Sequence, residues 1–216
     1  MSRTINIFAV DENAAKRQAR AKTDVVGTFR SGYQAQGRPM SLTEWRVTSG
    51  EKDVVERLGE EYGGDEPKQW ETKSEEVWEV FTKAAAIEVD VVNYSSEFVL
   101  WGQGGKLIRS CDGAERKDGR PCECTGSMQD RKEAAQDGVG CKPNIRFVFR
   151  IPSLGFSDDE FFRFSTGSWT MLSDMPDWQD VLAEATSDAP VKARISLEPI
   201  TTKAGRTFTK PTVELL

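Results

Sequence analysis

The sequence predicts an α+β fold: a mainly antiparallel β-sheet with two or three inserted helices and a zinc-stapled loop of four cysteines. Three observations carry this. Short strand-like segments of alternating or aromatic-rich character recur along the chain. Helical spacing is confined to a few places. All four cysteines fall between positions 111 and 141, in a polar, glycine-spaced stretch. With 216 residues, 38% of them hydrophobic and 30% charged, the chain has a globular composition and can bury a core without disulfides.

The expected organisation is an N-terminal arm, partly flexible, over residues 1–40, and one α+β domain over residues 41–216. In the arm, AVDENAAKRQARAK offers Asp11 or Asn13 as the N-cap of a short basic helix, and TFRSGYQAQGRP is turn-rich. Such an arm can dock on a phosphate backbone or a protein, or remain a mobile tail. SLTEWRVTS then alternates as a strand. EKDVVERLGEEY places Val54, Val55, Leu58 and Tyr62 at helical spacing, and GGD stops it. VWEVFT and IEVDVV read as strands, and FVLWGQGGKLIRS as a hairpin turning at GQGG. IRFVFRIP and EFFRFST continue the β pattern beyond the cysteines. SWTMLSDMPDWQDVLAEA is helical in its second half, with Pro176 near the first turn. ARISLEPI and RTFTKPTVELL close the chain as a hairpin around KAGR.

Charge and composition exclude several functions. The absence of histidine removes Ser-His-Asp and Cys-His catalysis, HExxH metalloproteases and histidine-dependent nucleases. GQGGKL lacks the first glycine and the Ser or Thr of a phosphate loop, so a hairpin turn explains it better. Asp158, Asp159 and Glu160 can hold Mg²⁺ or act as acid and base, but they also suit a loop with an N-cap; a carboxylate hydrolase would reveal itself by EDTA inhibition and Mg²⁺ rescue. No apolar run reaches the roughly 18 residues of a membrane span, and the N-terminus reverses the order of a secretory signal; a cytoplasmic protein is expected.

The net charge of −6 lies in one block: residues 51–79 carry eleven acids against four bases. This supplies no continuous basic face for DNA. It is either a solvated helical face or a surface for a basic partner, with Glu60 and Glu61 as its candidate contacts. A second candidate contact is WTMLSDMPDW, where Trp169, Met171, Leu172, Met175 and Trp178 form either an anchor patch or ordinary core.

Cys111, Cys122, Cys124 and Cys141 are spaced C-x10-C-x-C-x16-C. A reducing compartment disfavours disulfides, and no histidine is present to activate a thiol. Four thiolates complete a tetrahedral Zn²⁺ with no open position, as in a structural site, although Cys122 and Cys124 do not form a C-x2-C knuckle. Gly113, Gly126, Gly138 and Gly140 supply backbone freedom. An iron–sulfur cluster and metal-free or oxidised thiols are the alternatives. A polar loop without a core of its own calls for a metal to order it, at a gain on the order of 10 kcal/mol.

The runs FRSGYQAQGRPMSLTEWRVTSGEKDVVERLGEEYGG, QWETKSEEVWEVFTKAAAIEVDV, LWGQGGKLIRSCDG, PCEC and GCKPNIRFVFRIP together resemble the actinophage recombination directionality factors that work with large serine integrases, and their prophage relatives. The resemblance covers about residues 28–167 and, more loosely, the terminal hairpin. It implies a protein that binds an integrase on attachment-site DNA, activates prophage excision between hybrid sites and inhibits integration. It also implies no catalytic residue and the four cysteines as zinc ligands; the charge balance, with no continuous basic face, implies little independent DNA binding. The integrase coiled coil is the implied contact. The competing expectation is a phage DNA-metabolism accessory protein that binds single-stranded DNA through aromatics such as Trp45, Trp70 and Trp101.

Overall fold

Alternation along each strand decides which face of a sheet a side chain takes, and here it sorts aromatics inward and arginines outward. The computed structural model describes residues 25–35, 38–124, 126–201, 205 and 207–216. In chain order these form β1 (Val25–Ala35), β2 (Arg38–Ser49), α1 (Lys52–Glu61), β3 (Lys68–Gln69), β4 (Trp78–Phe81), β5 (Ala86–Trp101), β6 (Leu107–Cys111), α2 (Met128–Gln136), β7 (Lys142–Arg150), β8 (Phe161–Thr166), α3 (Trp169–Asp174), α4 (Gln179–Ala183), β9 (Val191–Thr201) and β10 (Thr207–Leu215). The fold is α+β. One sheet runs β10-β9-β5-β7-β8-β1-β2-β4-β3, with β6 paired to β5. β1 and β8 are parallel; the other pairings are antiparallel. β9 and β10 also touch β2, so the sheet curls around its contents.

Those contents are aromatic. Phe29, Trp45, Phe147, Phe149, Phe162 and Phe164 are fully buried. Trp45 meets Phe164 edge-on at 5.0 Å and Phe29 at 5.7 Å, while Phe147 stacks on Phe164 at 6.0 Å. Each such side chain contributes about 1.5–3 kcal/mol by burial, and offset or edge contacts add about 0.5–1.5 kcal/mol per pair. α1 covers one flank with Val54, Val55 and Leu58, as its periodicity predicts. It ends where Gly63 turns into the left-handed region at φ 67°.

Four expectations are corrected. TFRSGYQAQGRP is not turn-rich in its first part: residues 28–35 belong to β1, an interior strand between β2 and β8. Gly32 marks a close approach rather than a turn, since a Cβ there would lie 2.6 Å from the Met40 carbonyl oxygen. The expected basic helix after Asp11 or Asn13 lies outside the described residues.

The described residues hold four short α-helices rather than two or three. The extra one, α2, sits inside the cysteine segment, where Ser127 and Asp130 form a reciprocal capping box. The segment is therefore ordered in part by its own hydrogen bonds, which the expectation of a loop without structure of its own left out.

The helix expected only in the second half of SWTMLSDMPDWQDVLAEA begins at Trp169, because the Ser168 hydroxyl accepts from the Met171 N–H at 3.2 Å. Pro176 falls in a 3₁₀ turn between α3 and α4.

Finally, the anchor patch is core. Met171, Leu172, Met175 and Trp178 are at most 4% exposed. Trp178 packs between Tyr94 and Phe147 at 5.5 and 5.8 Å, and half-buried Trp169 lies 5.9 Å from Phe98. The helical spacing of these side chains points them at the sheet.

Candidate interaction surface and cysteine centre

The long strand β5 organises both features. Its first half pairs with β9 over Ala86 to Val91, and β6 takes over that edge at Phe98 to Trp101. The intervening GQGG is the expected hairpin turn: Gly102 N–H donates to the Lys106 carbonyl at 2.8 Å, and Gly104 and Gly105 supply φ values of 68° and 76°. On its other edge β5 pairs with β7. Phe98 thus stands between Cys111, the last residue of β6, and Pro143 of β7. This brings Cys111 and Cys141 together although a thirty-residue excursion separates them.

The excursion folds back twice. Asp112 accepts the N–H groups of Ala114 and Glu115 at 2.9 and 2.7 Å, an Asx-type turn. Cys122 then returns, donating its N–H to the Ala114 carbonyl at 2.8 Å. The Cys122 sulfur lies 3.2 Å from that of Cys111. Cys141 hydrogen-bonds through sulfur to Cys111, Cys124 and Arg109, so all four cysteines form one cluster. Three backbone N–H groups also point at sulfur: Gly113 at Cys111, Cys124 at Cys122 at 3.3 Å, and Cys141 at Cys124. Such bonds favour thiolate over thiol.

Within the cluster the protons are unevenly held. The hydrogen bond from Cys111 brings Cys141 down to about 6 against the opposing effect of burial, and Cys124 and Arg109 add to the drop. The same bond, with burial and Cys122 next, drives Cys111 upward. Burial raises Cys124 to about 11. None of the four is in a disulfide.

Among the described residues, no group of three or more His, Cys, Asp or Glu side chains stands ready to hold a metal ion. The 3.2 Å contact of Cys111 with Cys122 is that of a hydrogen-bonded pair, shorter than the edge of about 3.8 Å in a tetrahedron with Zn–S bonds of about 2.3 Å. The donor set nevertheless fits a closed four-sulfur site in number and type. Every candidate donor is a cysteine, three have an N–H aimed at sulfur, and Arg109 would offset part of the negative charge of a four-thiolate complex.

Beyond the cysteines the hairpin ends in apolar side chains. Trp101 is 54% exposed, Leu107 43% and Ile108 57%. Trp101 and Leu107 are register partners. Sequence reasoning missed this patch, although FVLWGQGGKLI carries its largest apolar residues against the turn, where a buried strand should already be ending.

Glu60 and Glu61 are exposed on the last turn of α1. Their block is not uniformly solvated, because Glu76 and Glu79 are bound by arginines. Of the aromatics considered for base stacking, Trp45 is fully buried, Trp70 is covered by Arg46 at 4.3 Å, and Trp101 is open. Asp158 and Asp159 sit in the loop before β8, where Glu160 accepts the Ser157 N–H at 2.6 Å; the loop expectation holds, but the stretch leads into a strand and caps no helix. No helix among the described residues is long and apolar enough to cross a membrane.

A family model described as Gp3-like, recombination directionality factor-like, matches residues 26–216. The match begins one residue into β1 and takes in the whole sheet and the cysteine cluster. No solved structure matches the chain.

Proposed function

We propose that this chain, which belongs to the Gp3-like family of recombination directionality factor-like proteins, binds a large serine integrase on attachment-site DNA. It thereby activates excision between hybrid sites and inhibits integration. The family is one of regulatory accessory proteins, and the phosphoryl chemistry belongs to the integrase. Control of this kind is differential binding: the factor must contact one synaptic arrangement better than another, typically by about 1–3 kcal/mol per contact.

The observation that carries the reading is the exposed tip of Trp101, Leu107 and Ile108 at the end of a hairpin whose base is tied by four cysteines. Large apolar side chains held on a fixed support lose little entropy on docking, and tryptophan is prominent among residues that dominate interfaces. Cys111, Cys122, Cys124 and Cys141 hold a structural Zn²⁺ in this reading. When bound it supplies no reaction chemistry; it fixes the base of the hairpin. Glu60 and Glu61 lie elsewhere, on α1, and steer a basic partner toward the complex.

The test is a binding and recombination assay with a cognate integrase on hybrid sites. Trp101→Ala and Ile108→Ser should keep the wild-type melting temperature, weaken integrase binding by about 2 kcal/mol, roughly thirty-fold, and abolish stimulation of excision. Met175→Ala should do the opposite. Truncating this buried side chain costs about 2–5 kcal/mol, a fall of roughly 4–20 °C for a chain of this size, while the folded fraction still binds. A folded Trp101→Ala/Ile108→Ser protein with full affinity and full excision activity rules out the hairpin tip.

A further inference from the structure

The outer face of the sheet carries arginines on adjacent strands. Arg30 of β1 is paired in register with Arg46 of β2. Thr28 of β1 pairs with Arg163 of β8, and Arg146 of β7 with Ser165 of β8. Between β1, β7 and β8 lies a cleft of about 280 Å³ lined by Arg30, Arg146, Arg163, Thr28, Ser31 and Ser165. Three guanidiniums and three hydroxyl-bearing residues thus border one concavity on a protein with net charge −6.

The cleft is short of negative charge. Glu76 is the carboxylate that enters the cluster, and its oxygens are in use. Oε1 accepts from Thr28 at 2.6 Å and Arg163 at 3.2 Å, while Oε2 accepts from Arg30 and Thr48, both at 2.7 Å. Arg46, next in the row, is paired with Glu79 and stacked on Trp70. Arg146 is exposed and has no ion-pair partner among the described residues. Three cations against one carboxylate leave two positive charges. Arg30 and Arg163 share Glu76, which offsets one unit between them, and Arg146 is open to solvent.

We propose that this arginine-lined cleft seats the sugar–phosphate backbone of duplex DNA, independently of base sequence. Guanidiniums on neighbouring strands with hydroxyls between them match consecutive phosphate oxygens. Trp70, the ring nearest the row, already carries Arg46 and Arg30 at 4.3 and 5.8 Å, so the face offers phosphate contacts rather than a base-stacking platform. Two uncompensated charges give only weak binding to DNA on its own. Once a partner protein holds the chain on DNA, the contact becomes intramolecular, and an effective concentration in the millimolar range makes it productive.

The experiment needs no integrase, so it succeeds or fails separately from the reading above. A fluorescein-labelled 20-base-pair duplex of arbitrary sequence is titrated with the full chain, followed by anisotropy, at salt concentrations from 20 to 200 mM. Wild type should bind in the range of about 10⁻⁴–10⁻⁶ M at low salt, with log K falling against log salt at a slope near −1.8, about −0.9 per phosphate contact. Arg146→Ala should reduce that slope by about 1 and keep the wild-type melting temperature, and Arg146→Lys should restore it. An unchanged slope in Arg146→Ala overturns the proposal. So does a chain that ignores the duplex at 20 mM salt, or one that instead binds a labelled acidic peptide through Arg146.

Discussion

Glu76→Gln is the most informative single change, because it should move stability and polyanion binding in opposite directions. The substitution keeps the side chain's shape but removes its charge. Glu76 accepts four hydrogen bonds, two from arginines, and its side chain is 21% exposed. Hydrogen bonds to charged groups contribute about 1.5–3 kcal/mol each. Here part of that survives in the amide oxygen, and Arg30 and Arg163 are 33% and 37% exposed, so solvent screens the lost pairs. The cost should be about 2–3 kcal/mol at neutral pH, a fall of roughly 4–12 °C in melting temperature.

The loss has a definite pH dependence. Burial pushes the Glu76 carboxyl up, but bonds from Thr28 and Thr48 and the charge and bond of Arg30 outweigh it, so its pKa lies below the ordinary 4.5. A depressed pKa means that the stabilisation is fully present above the unfolded value and is lost as pH falls through the folded value. The gap between wild type and Glu76→Gln should therefore be constant above about pH 5.5 and narrow below pH 4.5. At neutral pH the variant should also bind duplex DNA more tightly, with the salt slope steepening by about 0.9 for the charge released. Thermal melts from pH 3 to 8 and the anisotropy titration read both effects. A gap that widens toward acid refutes the electrostatic reading of Glu76, and weaker DNA binding by a folded variant refutes the link to the arginine cleft.

Cys124→Ser should lower bound zinc well below one equivalent by elemental analysis and loosen residues 111–141 to hydrogen exchange; a full equivalent retained would sink the four-cysteine assignment. Glu60→Lys with Glu61→Lys should slow integrase association, an effect that added salt mimics on wild type. It should leave folding intact or raise stability by about 0.3–1 kcal/mol per charge, because the last turn of α1 carries no basic residue to meet the helix dipole. Unchanged association kinetics at low salt would remove the acidic block from the docking route.

The strands were legible wherever one face is buried and the other wet. Alternation of the kind in RFVFR and FFRFST places Phe147 and Phe164 inward, with Arg146 and Arg163 outward. β1 was not legible, because Gly32 imitates a turn residue when read locally. Only the neighbouring strand, whose carbonyl would collide with a Cβ, explains Gly32. The methionine and tryptophan run of α3 and α4 was ambiguous for a related reason. An apolar helical stripe looks alike whether it meets the protein's own sheet or a partner, and here Tyr94 and Phe147 occupy the position a partner would take. The cysteines could be grouped from sequence because they cluster in it, but the N–H groups aimed at their sulfurs depend on turns that only the folded excursion defines.

The arginine face was the least legible feature, and the reason bears on how an acidic protein works on DNA. Net charge sums over the whole surface, whereas a phosphate responds to charge within about 10 Å of itself at ordinary salt. Arg30, Arg146 and Arg163 are separated in sequence, Arg146 and Arg163 between apolar neighbours and Arg30 between Phe29 and Ser31, and none belongs to a basic run. The sheet order β7-β8-β1 makes them neighbours. The acidic excess lies largely on α1 and its flanking segments, and the one acid of that block that reaches the cluster, Glu76, is held by four donors. Opposite charges are thus segregated on one small protein, an acidic helix on one part of the surface and an arginine cleft on another. On the proposed reading, a chain so divided meets a basic recombinase and a phosphate backbone at once and binds DNA alone only weakly. Such a division suits a factor whose effect depends on the integrase already being in place.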